Sequence, residues 1–380
     1  MEQLLCCGTA DDEAWQRAEL VQLWREVGDE VAWRAAERNE VSSLVGAALQ
    51  RVLPPAEIPG HWHEAVTTVT QRITLYLAEL DRAAAALAVD GIQLVALKNS
   101  GIARGIYPHP GGCPMGDIDL LVDPRDFRRA HACLVRLGYE FDSRSPLGEK
   151  GLVEAEQSGG SEYRVKLQDG SFLWVELQWR PVAGRWIQPH QEPAAAELLR
   201  RSDSVPGTTV RLLCPVDNLL QVCLHTAKHS YVRAPGFRLH TDVDRIVRRC
   251  GIDWDEFIAR VDALQVRVAV YFSLALAAEL LRTPVPATAL ERLRPAGWKE
   301  RAVRRSLASA GLFDPQARKW SKLGYIVFNL LLYDTAAGVW RAVFPSSEVM
   351  RRRYPVGPTW ALPWWHARRL WELVWKRAKT

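Results

Sequence analysis

The chain has 380 residues, 48% hydrophobic and 24% charged, the mix of a folded globular protein. That excludes a disordered tail, a collagen-like fibre and a disulfide miniprotein, and a formal net charge of +5 excludes a polycation that coats nucleic acid. The charge is uneven: residues 301–380 hold 15 Lys and Arg against 4 Asp and Glu, with 7 of the 16 Trp, so a mildly acidic body carries a basic, Trp-rich end.

Residues 10–53 read as helical, being rich in Ala, Leu, Val, Trp, Glu and Arg without Pro. Residues 53–60 hold Pro54, Pro55, Pro59 and Gly60 and form a break. His61-Trp62-His63 reads as a surface turn. A long helical pattern then runs over 63–89 and stops at Asp90-Gly91. The short apolar run 92–97 predicts a buried strand, Lys98-Asn99-Ser100-Gly101 a polar turn, and 102–107 the first turns of a helix. After a Gly/Pro loop at 108–116 come a second strand at 118–122 and a helix at 127–137. Asp169-Gly170 between alternating runs at 161–168 and 172–179 predicts a hairpin. Helices are expected over 216–230, 241–250, 253–264, 267–282, 299–312 and 320–343. A basic, Pro-rich break at 351–358 precedes a final helix at 363–379.

The expected fold is α/β (α+β): a small mixed-sheet core flanked by helices. Its expected parts are an N-terminal helical segment at 1–62, the α/β core at 63–205, a helical domain at 206–345 and the basic Trp-rich segment at 346–380. The seven Cys form no C-x-x-C pair, which argues for a reducing, cytoplasmic setting and against a structural zinc site. The start Met-Glu-Gln lacks a basic n-region, so no signal peptide is expected. The longest apolar runs, 268–281 and 323–333, fall short of the roughly 20 residues that span a bilayer.

The sharpest local feature is Asp117-Ile118-Asp119 before Leu120-Leu121-Val122. In a strand, residues i and i+2 share a face, so two carboxylates project side by side. Held that close they repel, and a hard divalent cation is the economical counter-charge. Upstream, Asn99-Ser100-Gly101 sits between strand and helix, where free backbone N–H groups suit a phosphate. Glu176 is a lone acid in the strand Trp174-Val175-Glu176-Leu177, which the hairpin can bring beside the Asp pair. Three carboxylates and a phosphate-cradling turn are the parts of two-metal phosphoryl or nucleotidyl transfer. Asp117, Asp119 and Glu176 are the candidate catalytic and metal residues, with two Mg²⁺ ions. Lys98, Asn99, Ser100 and Gly101 are the candidate triphosphate contacts.

These residues resemble a known family. Leu97-Lys98-Asn99-Ser100, Tyr107-Pro108, Pro114-Met115-Gly116-Asp117-Ile118-Asp119-Leu120-Leu121-Val122 and Val175-Glu176-Leu177-Gln178-Trp179 look like the uncharacterised bacterial nucleotidyltransferase family of the polymerase-β-like superfamily. Leu224-His225, Lys228-His229, Leu239 and Asp242 resemble its region after the core, so the likeness runs over roughly 65–265. It implies Mg²⁺-dependent transfer of a nucleoside monophosphate from an NTP, ATP first, with release of pyrophosphate. The acceptor implied is a small molecule or peptide in natural-product biosynthesis rather than a nucleic acid. Three positions depart from the pattern: Asn99 replaces the turn Gly, Cys113 an Arg, and Gln178 a His. All three acids are kept. The alternative is a weak or inactive member that binds a peptide or protein partner.

Other candidates have plainer readings. His225 and His229 have the i, i+4 spacing of zinc ligands, but Thr226 stands where H-E-x-x-H has Glu, and a polar network is the expectation. Asp242 and Asp244 read as helix-packing ion pairs, and nothing near Cys113 suggests a reactive thiol. In the final helix Trp364, Trp371 and Trp375 share a face, with Arg368, Arg369, Lys376, Arg377 and Lys379 around the rest. Docking on the body is the plain reading. A peripheral contact with a membrane surface or an anionic partner is the sharper one.

Overall fold

The computed structural model describes residues 1–142, 152, 156, 159–184, 186–354 and 359–375. The expected break at 355–358, Lys376, Arg377 and Lys379 lie outside the described residues, as does the side chain of Trp375. The fold is mixed α/β. Seven strands form one sheet: β1 (Val95–Leu97), β2 (Asp117–Leu121), β3 (Glu140–Asp142), β4 (Gly160–Lys166), β5 (Phe172–Gln178), β6 (Asp203–Ser204) and β7 (Arg211–Leu212). Their order is β3-β4-β5-β2-β1-β7-β6, with β2/β5 and β1/β7 parallel and the other pairs antiparallel. The hairpin turns as expected at Asp169-Gly170, where Gly170 takes φ +83°.

Strand alternation divides the side chains between two layers. Ile118, Leu120, Val175 and Leu177 enter the main core, which also takes Ile73, Leu80 and Leu87 of the long helix Gly60–Val89. On the opposite face Val95, Leu97 and Leu121 pack against Leu198 and Leu199 of the helix Ala195–Arg201. The acids stand on that second face, just beyond its apolar patch. The main core continues without interruption into the C-terminal helices as far as Tyr333. The N-terminal helices close a separate cluster around Leu4, Leu5, Val45 and Trp62, to which Phe237 and Leu281 add.

Several local expectations change. His61-Trp62-His63 begins the long helix rather than forming a surface turn. Trp62 is fully buried, and its indole N–H donates to Asp29 Oδ1 at 2.8 Å. Lys98-Asn99-Ser100-Gly101 is the first turn of a helix, entered directly from β1 through a left-handed Lys98 at φ +51°. The helix expected at 320–343 is two, Lys322–Leu331 and Ala336–Val343. Asp334 leaves the path to accept the N–H groups of Arg267 and Val268 at 2.8 and 2.9 Å. Arg351–Arg353 end a helix, Ser347–Arg353, instead of breaking one. The two-residue strands β6 and β7 are too short to show a period in the sequence. In the terminal helix Leu362–Trp375, Trp364 and Trp371 face solvent at 69% and 57% exposure, so that side is not docked on the body. Among the described residues no helix is long and apolar enough to cross a membrane.

A buried charge ties the helix Ala195–Arg201 to two later helices, Pro215–Lys228 and Trp254–Leu264. Asp217, fully buried at the start of the helix Pro215–Lys228, accepts Arg201 Nε at 2.8 Å and Nη2 at 3.1 Å, and it also accepts Arg260. Removing the acid strands two guanidiniums that are mostly covered. Asp217→Ala is expected to cost about 3 kcal/mol or more, by the known penalty for breaking a buried pair, read as a shift in the urea unfolding midpoint. Truncating an exposed pair such as Arg17–Glu13 should move the midpoint hardly at all.

Candidate active site

The site is one rung of the sheet. Leu97 of β1 lies opposite Asp119 of β2, which lies opposite Glu176 of β5, which lies opposite Glu162 of β4. Directly paired residues project to the same side, so Asp119, Glu176 and Glu162 share a face. Asp117 and Gln178 join them two positions away on their own strands. The parallel pairing of β2 with β5 brings together acids that lie 57 positions apart in the chain.

Lys98 follows Leu97 and turns back over the rung. Its left-handed backbone lets the side chain run under the new helix to Asp119 Oδ1 at 2.5 Å and Glu176 Oε2 at 3.4 Å. Gln178 Nε2 donates to Asp119 Oδ1 at 2.6 Å and also to Glu176. The buried acids are thus bridged by one ammonium and one amide. Asp117 is exposed at the mouth, and among the described residues no donor hydrogen-bonds to its side chain.

Electrostatics follow from that arrangement. Burial would lower the Lys98 ammonium, but Asp119, Glu176 and Asp117 outweigh it and raise its pKa, so it stays charged. Burial raises Asp119 well above the ordinary carboxyl value, against the pull of Lys98. Burial acts the same way on Glu176, but there Lys98 and the hydrogen bond with Asp119 win and hold it down at about 2. Asp117 is raised by its crowded surroundings and by Glu176, with Lys98 opposing.

The turn residues do different work from one another. Ser100 is fully buried, and its hydroxyl accepts the Asp119 backbone N–H at 3.0 Å, which makes it a post under the acid. With its nitrogen toward Asp242, the Asn99 amide donates to both carboxylate oxygens at 2.7 and 2.9 Å. Gly101 has no room for a side chain: a Cβ there would sit 2.8 Å from the Ala96 carbonyl oxygen. That contact presses the helix onto β1.

Basic groups that sequence reasoning left aside border the acids. Arg238 donates to the Pro114 carbonyl at 2.5 Å, three positions before Asp117, and lies 3.4 Å from Glu40. Lys228 donates to the Val182 carbonyl at 2.9 Å. Burial and Lys98 push it down to about 8, with Glu176 opposing. Burial, then Lys98, His229, Lys228 and Arg238, drive His225 well below the usual imidazole range. His225 and His229 pack edge to face at 4.9 Å, and His229 Nδ1 lies 2.7 Å from the Ala234 carbonyl oxygen. This side of the acids concentrates positive charge. The signal was legible only as Lys228-His229 and Arg238 in the segment after the core. Cys113 is inert, since burial pushes its thiol up to about 11. Arg245 lies 3.7 Å from its sulfur and over the Tyr107 ring, so a guanidinium from a later helix stands beside the position where the pattern has Arg.

No three His, Cys, Asp or Glu side chains among the described residues already form a metal cage. The donor set nevertheless fits a hard divalent cation. Asp117, Asp119 and Glu176 offer carboxylate oxygens on one face, and the outermost is open.

Residues 25–282 match the family described as uncharacterised nucleotidyltransferase, and the chain belongs to that family. The match starts well before residue 65 and takes in the helices Asp29–Arg38 and Ser42–Val52. No curated protein matches the chain.

Asp242 supplies a pH test of the Asn99 anchor. Burial lifts its pKa from 3.8 to about 6, against the pull of Arg245 and Arg238. A carboxyl raised on folding stabilises the fold fully below its unfolded pKa, and that contribution is lost as pH rises through the folded value. Stability is therefore expected to fall as pH rises from about 4 to about 6. Asp242→Asn, neutral throughout, should flatten that part of the stability–pH curve measured by chemical denaturation.

Proposed function

We propose that this chain is a metal-dependent nucleotidyltransferase that moves a nucleoside monophosphate from an NTP, ATP first, to a small-molecule or peptide acceptor and releases pyrophosphate. The observation that carries the reading is the rung itself: Asp119 beside Glu176 on parallel strands, Asp117 open at its edge, and Lys98 between them. Asp117, Asp119 and Glu176 would hold the cation, Mg²⁺ by donor type. When bound, it would neutralise charge on the triphosphate and acidify the attacking hydroxyl.

The chain's own residues bind and orient. Lys228 and Arg238 give the triphosphate a cationic wall beside the acids. Lys98 is a charged donor at the point where the phosphoryl group would arrive. Ser100 fixes the strand position of Asp119, and Asn99 ties the same turn to Asp242. Positioning and electrostatic stabilisation are what phosphoryl transfer asks of a protein.

Isothermal titration with ATP and Mg²⁺ tests the reading. Wild type is expected to bind only with the metal, and Asp117→Ala/Asp119→Ala to bind at least tenfold more weakly; equal binding by both proteins would overturn the site assignment. Lys228→Gln is expected to weaken ATP at least fivefold while leaving the far-UV spectrum unchanged. Binding without pyrophosphate release across a panel of acceptors would favour the alternative of an inactive, partner-binding member, which the Lys98 bridge also suits.

A further inference from the structure

Large apolar side chains are rarely left in water in groups without a purpose. Of the thirteen that stand exposed among the described residues, seven lie between Leu323 and Trp371, and four of those seven are Trp. The same end of the chain carries the excess of positive charge, with 15 Lys and Arg against 4 Asp and Glu over residues 301–380. This end lies beyond residues 25–282, the stretch matched to the family. It shares no residue with the site of the function proposed above.

One side of the terminal helix Leu362–Trp375 is anchored. Trp365 packs on the Tyr354 ring at 5.5 Å, and the Tyr354 hydroxyl donates to Glu372 at 2.8 Å. His366 meets the Phe344 ring at 5.7 Å, and Arg369 donates to the Ala342 and Val343 carbonyls at 3.0 and 2.8 Å. These contacts hold it to the ends of the two helices before it, Ala336–Val343 and Ser347–Arg353. Trp364, Ala367, Arg368 and Trp371 are left outside, at the i, i+3, i+4 and i+7 spacing of one helix face, and all four are exposed. Trp360, in the short helical turn just before, is 82% exposed. Turning the Trp face inward would break the anchoring contacts.

Charge selects the occupant. Arg368 lies within the Trp face itself. Arg341 and Arg351, on the two helices that anchor it, are exposed and have no ion-pair partner among the described residues. Indole has a broad apolar body and a single N–H donor, which suits the boundary between lipid headgroups and acyl chains. Arginines beside indoles suit the phosphates at that boundary. An acidic polymer would answer the charge alone, whereas exposed indoles call for an apolar layer as well. No described helix is long and apolar enough to cross a bilayer, so the contact is one of lying on the surface. We propose that the face formed by Trp364, Ala367, Arg368 and Trp371, with Arg341 and Arg351 on the anchoring helices, docks the protein on an anionic phospholipid surface.

Co-sedimentation of the full chain with vesicles tests the surface. Binding to vesicles of equal parts phosphatidylglycerol and phosphatidylcholine is expected to be at least tenfold tighter than to phosphatidylcholine alone, and to weaken as salt rises. Trp364→Ser/Trp371→Ser should lower that binding at least fivefold, and Arg341→Gln/Arg351→Gln at least threefold. All four side chains are exposed, so the variants should fold, which an unchanged far-UV spectrum checks. Trp298→Ser removes an indole that is also exposed but lies on the helix Gly297–Ala310, and it should bind as wild type does. Brominated acyl chains should quench the tryptophan fluorescence of wild type more than that of the Trp364→Ser/Trp371→Ser variant. Equal binding to the two kinds of vesicle, unchanged binding in that variant, an equal loss in Trp298→Ser, or binding of poly-glutamate but not of anionic vesicles would overturn the proposal.

Discussion

Everything functional in this fold depends on burying like charges together and making that tolerable. Asp119 and Glu176 face each other across a parallel strand pair, next to a dry apolar patch. Two carboxylates so placed repel strongly in a low-dielectric setting. The chain meets the cost with Lys98, whose ammonium reaches both acids, and with the Gln178 amide. Lys98 can reach them only because the backbone reverses there in a left-handed conformation that Lys rarely adopts. Strain in the backbone and repulsion in the side chains are balanced at one place, a pattern that marks functional sites more often than structural ones.

The surroundings make sense as supports for that rung. Ser100 holds the Asp119 amide, Gly101 lets the helix lie against β1, and Asn99 is fixed by Asp242 of a helix from the other half of the chain. Asp242 in turn lies near Arg238 and Arg245, which reach the loop before Asp117. The helical region is therefore part of the site: it supplies the positive charge that the acidic sheet lacks. The N-terminal helices also reach it, through Glu40 at 3.4 Å from Arg238. Asp244 ties them in by accepting the Asp11 N–H at 2.8 Å while pairing with Arg248.

Much of this was legible before any coordinates. The carboxylate pair and apolar run at Asp117 to Val122, the Asp169-Gly170 hairpin and the stop at Asp90-Gly91 are local signals whose physical cause lies within a few residues. They appear where expected. The acids were legible for the same reason, because a carboxylate in an apolar strand is costly and calls for a purpose. Readings that needed a partner far along the chain were less complete. Ser100 and Asn99 read as phosphate contacts because their hydroxyl and amide have no local claimant, whereas Asp119 and Asp242 claim them in three dimensions. The run at 320–343 read as one helix because nothing nearby reveals that Asp334 caps a helix that starts 67 residues earlier.

The sequence by itself determined the four longer-read strands β1, β2, β4 and β5, the three acids as candidates, the membership that its motifs suggest, and the split between an acidic body and a basic end. These follow from periodicity and composition, which are properties of neighbours in the chain. Only the tertiary structure decided that Lys98 bridges Asp119 and Glu176, that Lys228 and Arg238 lie near the acids, and that Asn99 meets Asp242. Each of these joins residues separated by tens to hundreds of positions. Such contacts are set by sheet register and helix packing, where side chains meet through space and leave no spacing for a reader of the sequence to find.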